Sequence, residues 1–107
     1  LLHDAADARD VHTAGRLTDL RAAGRIRKLG ASVYTPADLD VYAASGLPLD
    51  LLQLPMSVVD QRFAPMLAGL RSRGVEIHVR SVFLQGALLL PALDLRERFP
   101  WLTKTVE

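Results

Sequence analysis

The sequence contains no cysteine among its 107 residues. This excludes a disulfide framework and any metal site built from thiolates. It also fits a reducing compartment, and we predict a cytoplasmic location on that basis. The three histidines lack the spacing of metal ligands, so the sequence predicts no metal site.

An excess of charge of one sign is also missing. Lysine and arginine number 13 and aspartate and glutamate number 12, which leaves a net charge of +1. Such a balance offers no basic field for nucleic acid or for an anionic membrane, and neither is expected as a partner. The apolar runs Leu47–Leu54 and Val82–Leu93 are interrupted and too short to cross a bilayer.

What the sequence does contain is the composition of a small globular domain. Half of its residues are hydrophobic and 23% are charged, and 107 residues suffice for one domain with a core. The chain opens on Leu1-Leu2-His3, without an initiating methionine or a signal peptide. We therefore expect it to be a segment of a longer protein.

Short apolar segments alternate with helical ones along the chain. The predicted strands are Leu1–Asp4, Ile26–Val33, Leu49–Leu54 and a fourth that starts at Val75 and is expected to be buried on both faces. Three helices begin at Ala14, at the Thr35-Pro36-Ala37-Asp38 capping box and near Phe63, and they end at Gly24, Gly46 and Gly74. Asp4–Thr13 is predicted to be a loop, and Leu93–Arg98 another one or two helical turns. Repeated βα units predict an α/β fold with a parallel sheet and right-handed crossovers.

Polar side chains stand where the predicted strands end: His3-Asp4, Ser32, Gln53 and Arg80-Ser81. In a parallel sheet these ends share one edge. No Gly-x-Gly-x-x-Gly follows the first strand, which disfavours the dinucleotide-binding fold, and no nucleophile elbow is present. Chemistry spread over several strand ends is typical of a barrel, although eight strands and about 250 residues make a complete one.

Four segments resemble the aldo-keto reductase family: Leu1–His3, Leu20–Tyr34, Asp50–Pro55 and Gly74–Leu89. Their order and spacing match strands four to seven of that family's barrel over nearly the whole chain. Val-Arg-Ser-Val-Phe-Leu-Gln-Gly, from position 79, resembles a bacterial subgroup. The resemblance implies one partial TIM (β/α)8 barrel domain over residues 1–107, from an enzyme that reduces an aldehyde or ketone with NADPH or NADH.

The family's catalytic set is Asp, Tyr, Lys and His, and His3 matches the strand-four histidine that polarises the carbonyl. Hydride transfer leaves an alkoxide, which a nearby donor stabilises, while Tyr, its pKa lowered by Lys, supplies the proton. The Asp, Tyr and Lys belong to earlier strands, and Tyr34 and Tyr42 do not replace the tyrosine by position. We therefore expect the isolated chain to be inactive.

The resemblance also implies a cofactor site. Ser32 and Gln53 match the pair that bonds to the nicotinamide carboxamide, although Val33 stands where many relatives have Asn. Arg80 stands where relatives place an aromatic ring under the nicotinamide, and a planar guanidinium can also stack. The loop that runs along the pyrophosphate is matched by Ser81, Phe83, Gln85 and Gly86. The segment that distinguishes NADP from NAD is not in the chain.

Other interpretations stay open from the residues alone. Gln53, set among leucines, meets either a ligand or a neighbouring loop, because an unpaired buried amide is costly. His78 is expected to pack or bond locally, and Asp60-Gln61-Arg62 to fix its loop by an ion pair. The chain is alternatively a non-catalytic interaction or scaffold module derived from the same barrel, or a five-stranded flavodoxin-like binding domain. Unpaired strand edges are expected to favour self-association.

Overall fold

A three-stranded parallel sheet forms the centre of the computed structural model, which describes residues 1–91 together with 94, 97 and 98. Its strands are β1 (Gly30–Ser32), β2 (Leu51–Pro55) and β3 (Glu76–Arg80), and they lie side by side in chain order. Leu2 forms an isolated parallel bridge with Ala31 on the outer side of β1. The predicted mixed α/β class with parallel strands is confirmed, and within the described residues the sheet does not close into a barrel.

Two helices near the amino terminus occupy most of the predicted loop Asp4–Thr13. They are a 3₁₀ helix, Ala5–Arg9, and α1, Val11–Ala22. The side chains of Asp4 and Asp10 each accept a hydrogen bond from a backbone N–H in the following turn, at 2.8 and 2.9 Å. These are N-caps, which satisfy amides that would otherwise lack a partner. The predicted loop is therefore wrong, because both aspartates start helices.

The other two helices begin and end as predicted. Asp38 accepts a hydrogen bond from the backbone N–H of Thr35 at 2.8 Å where α2 (Pro36–Ala43) starts. Pro65 lies in the first turn of α3 (Ala64–Ser72), where a missing N–H costs little. A glycine with φ of +68 to +79° follows each helix, namely Gly24, Gly46 and Gly74.

The strands are shorter than predicted at the side of the sheet where the chain starts. The predicted strand Leu1–Asp4 is reduced to the bridge at Leu2, and Ile26–Val33 is reduced to the three residues of β1. Lys28 is exposed and forms an ion pair with Glu76 at the start of β3. A side chain that reaches across the sheet in this way belongs to the approach to β1 rather than to a buried strand.

Strands β1 and β2 approach each other closely at one glycine. Gly30 pairs with Leu51, and a Cβ atom built on Gly30 would lie 1.6 Å from the Leu51 carbonyl oxygen. Only a residue without a side chain fits that position, and it fixes where β1 begins.

The core lies on one face of the sheet. Ala31, Leu52 and Ile77 are in register on that face, and they belong to a cluster with side chains from the helical regions, including Tyr42 and Phe63. Strand side chains alternate between faces, so the next row of the sheet presents its side chains on the opposite face.

Strand β3 was predicted to be buried on both faces, and this is wrong. His78 is exposed, and 44% of Val79 is accessible. The reason is topological, because β3 pairs only with β2 within the described part of the chain.

None of the described helices combines the length and the apolar character that a bilayer span requires. The predicted helical turns at Leu93–Arg98 lie outside the described residues, apart from Asp94, Glu97 and Arg98.

Candidate functional site

A polar row crosses the face of the sheet opposite to the core. Ser32 is in register with Gln53, and Gln53 with His78. Neighbouring strands lie about 4.8 Å apart, so Ser32 and Gln53 are adjacent side chains on one face. In the region that the structure describes, neither the Ser32 hydroxyl nor the Gln53 amide hydrogen-bonds to another protein group. The two residues predicted to bind a carboxamide are therefore adjacent. Their hydroxyl and amide groups make no hydrogen bond to another described protein group.

Arg80, at the carboxyl end of β3, contacts the residues that follow β1. Its Nη2 donates to the carbonyl oxygen of Val33 at 3.1 Å, and its guanidinium carbon lies 4.2 Å from the centroid of the Tyr34 ring. Because Val33 and Tyr34 follow β1, the arginine side chain spans the end of β2. The Nε of Arg80 is buried without a hydrogen-bond partner among the described residues, which costs about 1–3 kcal/mol if nothing else meets it.

Tyr34 is the site residue for which the sequence predicted no role. Half of the residue is accessible, and the Arg80 guanidinium covers one face of its ring. Such a cation–π contact is worth about 0.5–2 kcal/mol, depending on how far the cation is desolvated. Its position in the sequence could have indicated a role in the site. An aromatic residue directly after a strand lies at the same edge of the sheet as the polar residues at the strand ends.

A second arginine reaches the end of β1 from the loop after β2. Arg62 forms a two-point ion pair with Asp60, both N–O distances being 2.8 Å, and its Nη1 donates to the Tyr34 carbonyl oxygen at 3.4 Å. The hydrogen bond from Arg62 holds the pKa of Asp60 below its ordinary value, and that bond likewise raises the pKa of Arg62. The predicted ion pair that fixes this loop is confirmed.

The two arginines differ in charge balance. Asp60 neutralises Arg62, whereas Arg80 has no carboxylate within 4.0 Å among residues 1–91, 94, 97 and 98. The positive charge of Arg80 is therefore not balanced by a carboxylate among these residues, although its guanidinium contacts Tyr34 and the Val33 carbonyl. A guanidinium with free N–H donors can bind a carbonyl, a carboxylate or a phosphate oxygen.

The loop after β3 is bent by residues in the left-handed region. Ser81, Leu84 and Gln85 have φ of 60, 47 and 57°, and Gly86 has φ of 90°. A non-glycine residue in this region costs of order 1–3 kcal/mol, so the bend is imposed by its surroundings. The amides of Leu84 and Gly86 donate within the loop, to carbonyls at 3.1 and 2.9 Å. Those two N–H groups already donate to carbonyls of the loop. Fewer backbone N–H groups therefore remain for the predicted contact with a pyrophosphate.

The remaining predicted residues follow the outer strand segments of the sheet, on either side of the Ser32–Gln53 pair. Phe83 is 56% exposed in the loop after β3. His3 is exposed and follows the Leu2 bridge, so β1 and β2 separate it from Arg80. His78 bonds locally, as predicted, with its Nε2 2.6 Å from Glu76 Oε1. Within the described residues, no three His, Cys, Asp or Glu side chains converge as a metal site would require.

No family model matches this sequence, and neither the curated proteins nor the solved structures include one that matches it. The resemblance to aldo-keto reductases therefore stays a prediction, and the residues at the carboxyl edge of the sheet are its support.

Proposed function

We propose that this chain is part of an NAD(P)H-dependent aldo-keto reductase, a fragment of its (β/α)8 barrel that lacks the Asp, Tyr and Lys of the catalytic set. The intact enzyme reduces an aldehyde or ketone to an alcohol. Strand order supports this proposal. A doubly wound sheet reverses its order at a switch point, whereas the Leu2 segment, β1, β2 and β3 follow one another without reversal.

The observation that carries the proposal is the adjacent pair Ser32 and Gln53 on the face opposite to the core. A carboxamide offers one N–H donor group and one carbonyl acceptor, and a hydroxyl beside a side-chain amide can satisfy both. Two such contacts fix which face of a planar ring points toward a substrate. The residues therefore fit a nicotinamide, and the cofactor supplies the hydride when it is bound.

The other residues act around this pair. The Arg80 guanidinium carbon lies 4.2 Å from the centroid of the Tyr34 ring, and its positive charge is at the same edge of the sheet. His3 donates a hydrogen bond toward a substrate carbonyl oxygen, which stabilises negative charge that develops there. The proposal includes a cytoplasmic location, supported by the absence of cysteine.

A cofactor titration tests the proposal. NADPH and NADH are added to the purified chain while nicotinamide fluorescence is followed, and saturable binding is expected. Gln53→Ala should weaken it about tenfold, because one lost hydrogen bond of about 1.4 kcal/mol changes the Kd by that factor. Gln61→Ala is the matched control, since the same side chain is removed from an exposed loop position. A folded chain that shows no saturable binding, or an equal effect of both variants, contradicts the assignment.

The fragment assignment has its own test. The purified chain should reduce no member of a panel of aldehydes with either cofactor, because the proton donor and its lysine are missing. Turnover by the 107-residue chain would overturn the fragment assignment while leaving the cofactor site untouched.

A second candidate function is a non-catalytic scaffold module. The Arg80 contacts favour it, since the guanidinium is already committed to Tyr34 and to the Val33 carbonyl. The two candidates differ in their response to Tyr34→Ala. A cofactor that competes for Arg80 binds more tightly once the ring is removed, whereas a scaffold module changes only in stability.

A further inference from the structure

The side chain of Arg80 is partly buried, and its positive charge is poorly compensated. Of the five N–H donors of a guanidinium, one on Nη2 has an acceptor in the described part of the chain, the Val33 carbonyl oxygen at 3.1 Å. The Nε atom is buried and has no partner among the same residues. A partly desolvated cation without a counter-ion is unfavourable, so this position favours the binding of an anion.

The contacts of Arg80 lie over the middle strand of the sheet. Arg80 ends β3, Val33 and Tyr34 follow β1, and the contacts between them pass across the end of β2. The end of β2 is itself tied to β3, because the Met56 amide donates to the Arg80 carbonyl oxygen at 3.1 Å. The position of the guanidinium therefore depends on neighbouring described residues, and not on what adjoins the outermost strand segments.

The charges around this guanidinium fit a ligand with a single negative charge. Asp60 and Arg62 neutralise each other through their ion pair. Asp38 accepts from the N–H groups of Tyr34 and Thr35, both at 2.8 Å, at the amino end of α2, where the helix dipole favours a carboxylate. One cation therefore remains unbalanced. A carboxylate carries one charge, whereas a phosphate group carries about 1.5–2 at pH 7 and is repelled more strongly by the two aspartates.

Apolar side chains close to Arg80 remain accessible. Val82 and Phe83 follow it by two and three residues and are 44% and 56% exposed, and the Tyr34 ring against the guanidinium belongs to a residue that is 51% exposed. The Leu84 amide donates across a tight turn directly after β3, at 3.1 Å, which keeps both side chains near the end of that strand. Apolar groups that exclude water from an ion pair strengthen it, so they favour a ligand that is itself partly apolar.

We propose that Arg80 binds the carboxylate of a small organic acid whose remaining part is apolar or aromatic. The two terminal amino groups of the guanidinium keep three N–H donors without an acceptor among the described residues, and these can meet both oxygens of a carboxylate. The contact with Tyr34 limits the movement of the guanidinium, which lowers the entropy cost of binding. This site is independent of the reductase proposal, since it rests on the contacts and charge of Arg80 alone.

A benzoate titration of the wild-type chain, followed by nuclear magnetic resonance of the arginine Nε–H groups, tests the proposal. The buried Nε of Arg80 is protected from exchange with water, so its signal is observable. Benzoate should shift this signal saturably and leave the Nε signal of Arg62, which donates to Asp60 at 2.8 Å, unchanged. Acetate should bind about tenfold more weakly, because it lacks the ring. The proposal is overturned by an Arg80 signal that does not shift, by equal shifts of both signals, or by tighter binding of acetate or inorganic phosphate than of benzoate.

Variants studied by calorimetry supply the second measurement. Arg80→Gln should weaken benzoate binding at least tenfold, whereas Arg16→Gln, which removes the same charge from an exposed position of α1, should leave it unchanged. If circular dichroism shows that Arg80→Gln is unfolded, Arg80→Lys serves instead, because it keeps the charge and loses the planar fork. Full affinity in a folded Arg80 variant, or an equal loss in Arg16→Gln, contradicts the assignment. The cofactor titration depends on Gln53, so failure of one proposal is distinguishable from failure of the other.

Discussion

Replacing Gly30 by alanine should destabilise the fold through one backbone contact. The new Cβ would lie 1.6 Å from the Leu51 carbonyl oxygen, less than half of an ordinary van der Waals separation. The obstacle is backbone, so no side-chain rotation relieves it, and β1 must move away from β2. That movement disturbs Ala31 and Val33, which are completely buried in the core.

The magnitude follows from two opposing effects. Overpacking a rigid site costs about 1–3 kcal/mol, and a backbone obstacle puts Gly30→Ala at the upper end, about 3 kcal/mol. Restricting the unfolded chain returns about 0.4–1 kcal/mol. The expected net loss in the free energy of unfolding is therefore about 2 kcal/mol.

Urea unfolding followed by far-ultraviolet circular dichroism measures this loss. Gly69→Ala is the matched control, because Gly69 lies inside α3 and its added Cβ has no neighbour within 4 Å. The control should gain about 0.5–1 kcal/mol from helix propensity. The reasoning is refuted if Gly30→Ala is as stable as the wild type, or if both variants shift in the same direction.

Two further predictions concern polar groups that hold the core in place. Asp50 accepts from the backbone N–H of Leu29 at 2.9 Å and from Arg21 at 2.5 Å, and these contacts, the first above all, lower its pKa. A lowered folded-state pKa contributes stability above the unfolded value of about 3.9 and loses it as the pH falls through the folded value. Asp50→Asn should therefore cost about 1 kcal/mol at pH 7 and flatten the acid side of the stability curve, and urea midpoints that fall in parallel for both proteins would contradict this. Tyr42 is buried, its hydroxyl donates to a backbone carbonyl at 2.8 Å, and Tyr42→Phe should cost about 1 kcal/mol, whereas Tyr34→Phe at a half-exposed position should change the midpoint little.

Structural features that depend on a few neighbouring residues could be predicted from the sequence. The capping box before α2 and the glycine after each helix were predicted because one residue type satisfies one local backbone requirement. The caps at Asp4 and Asp10 are equally local, but the alanine-rich stretch around them has no apolar periodicity to mark a helix.

The site was harder to predict because its contacts join distant parts of the chain. Ser32 and Gln53 were proposed as a pair through the resemblance, and their register depends on the crossover between β1 and β2. The stacking of Arg80 on Tyr34 depends on a side chain that crosses β2, and strand order alone does not specify it. The exposure of β3 was missed because an apolar sequence looks the same whether or not a neighbouring strand covers it.

The division of the sheet into a core face and a polar face has a consequence for how mutations are tolerated. Along β2, Leu52 and Leu54 are fully buried, whereas Gln53 between them is only partly so. A scan of all substitutions, scored for abundance in cells, should show tolerance that alternates residue by residue along this strand. On β2, the residue on the polar face can then be replaced with little loss of stability. Ligand specificity and stability therefore depend on alternate residues of the same strand.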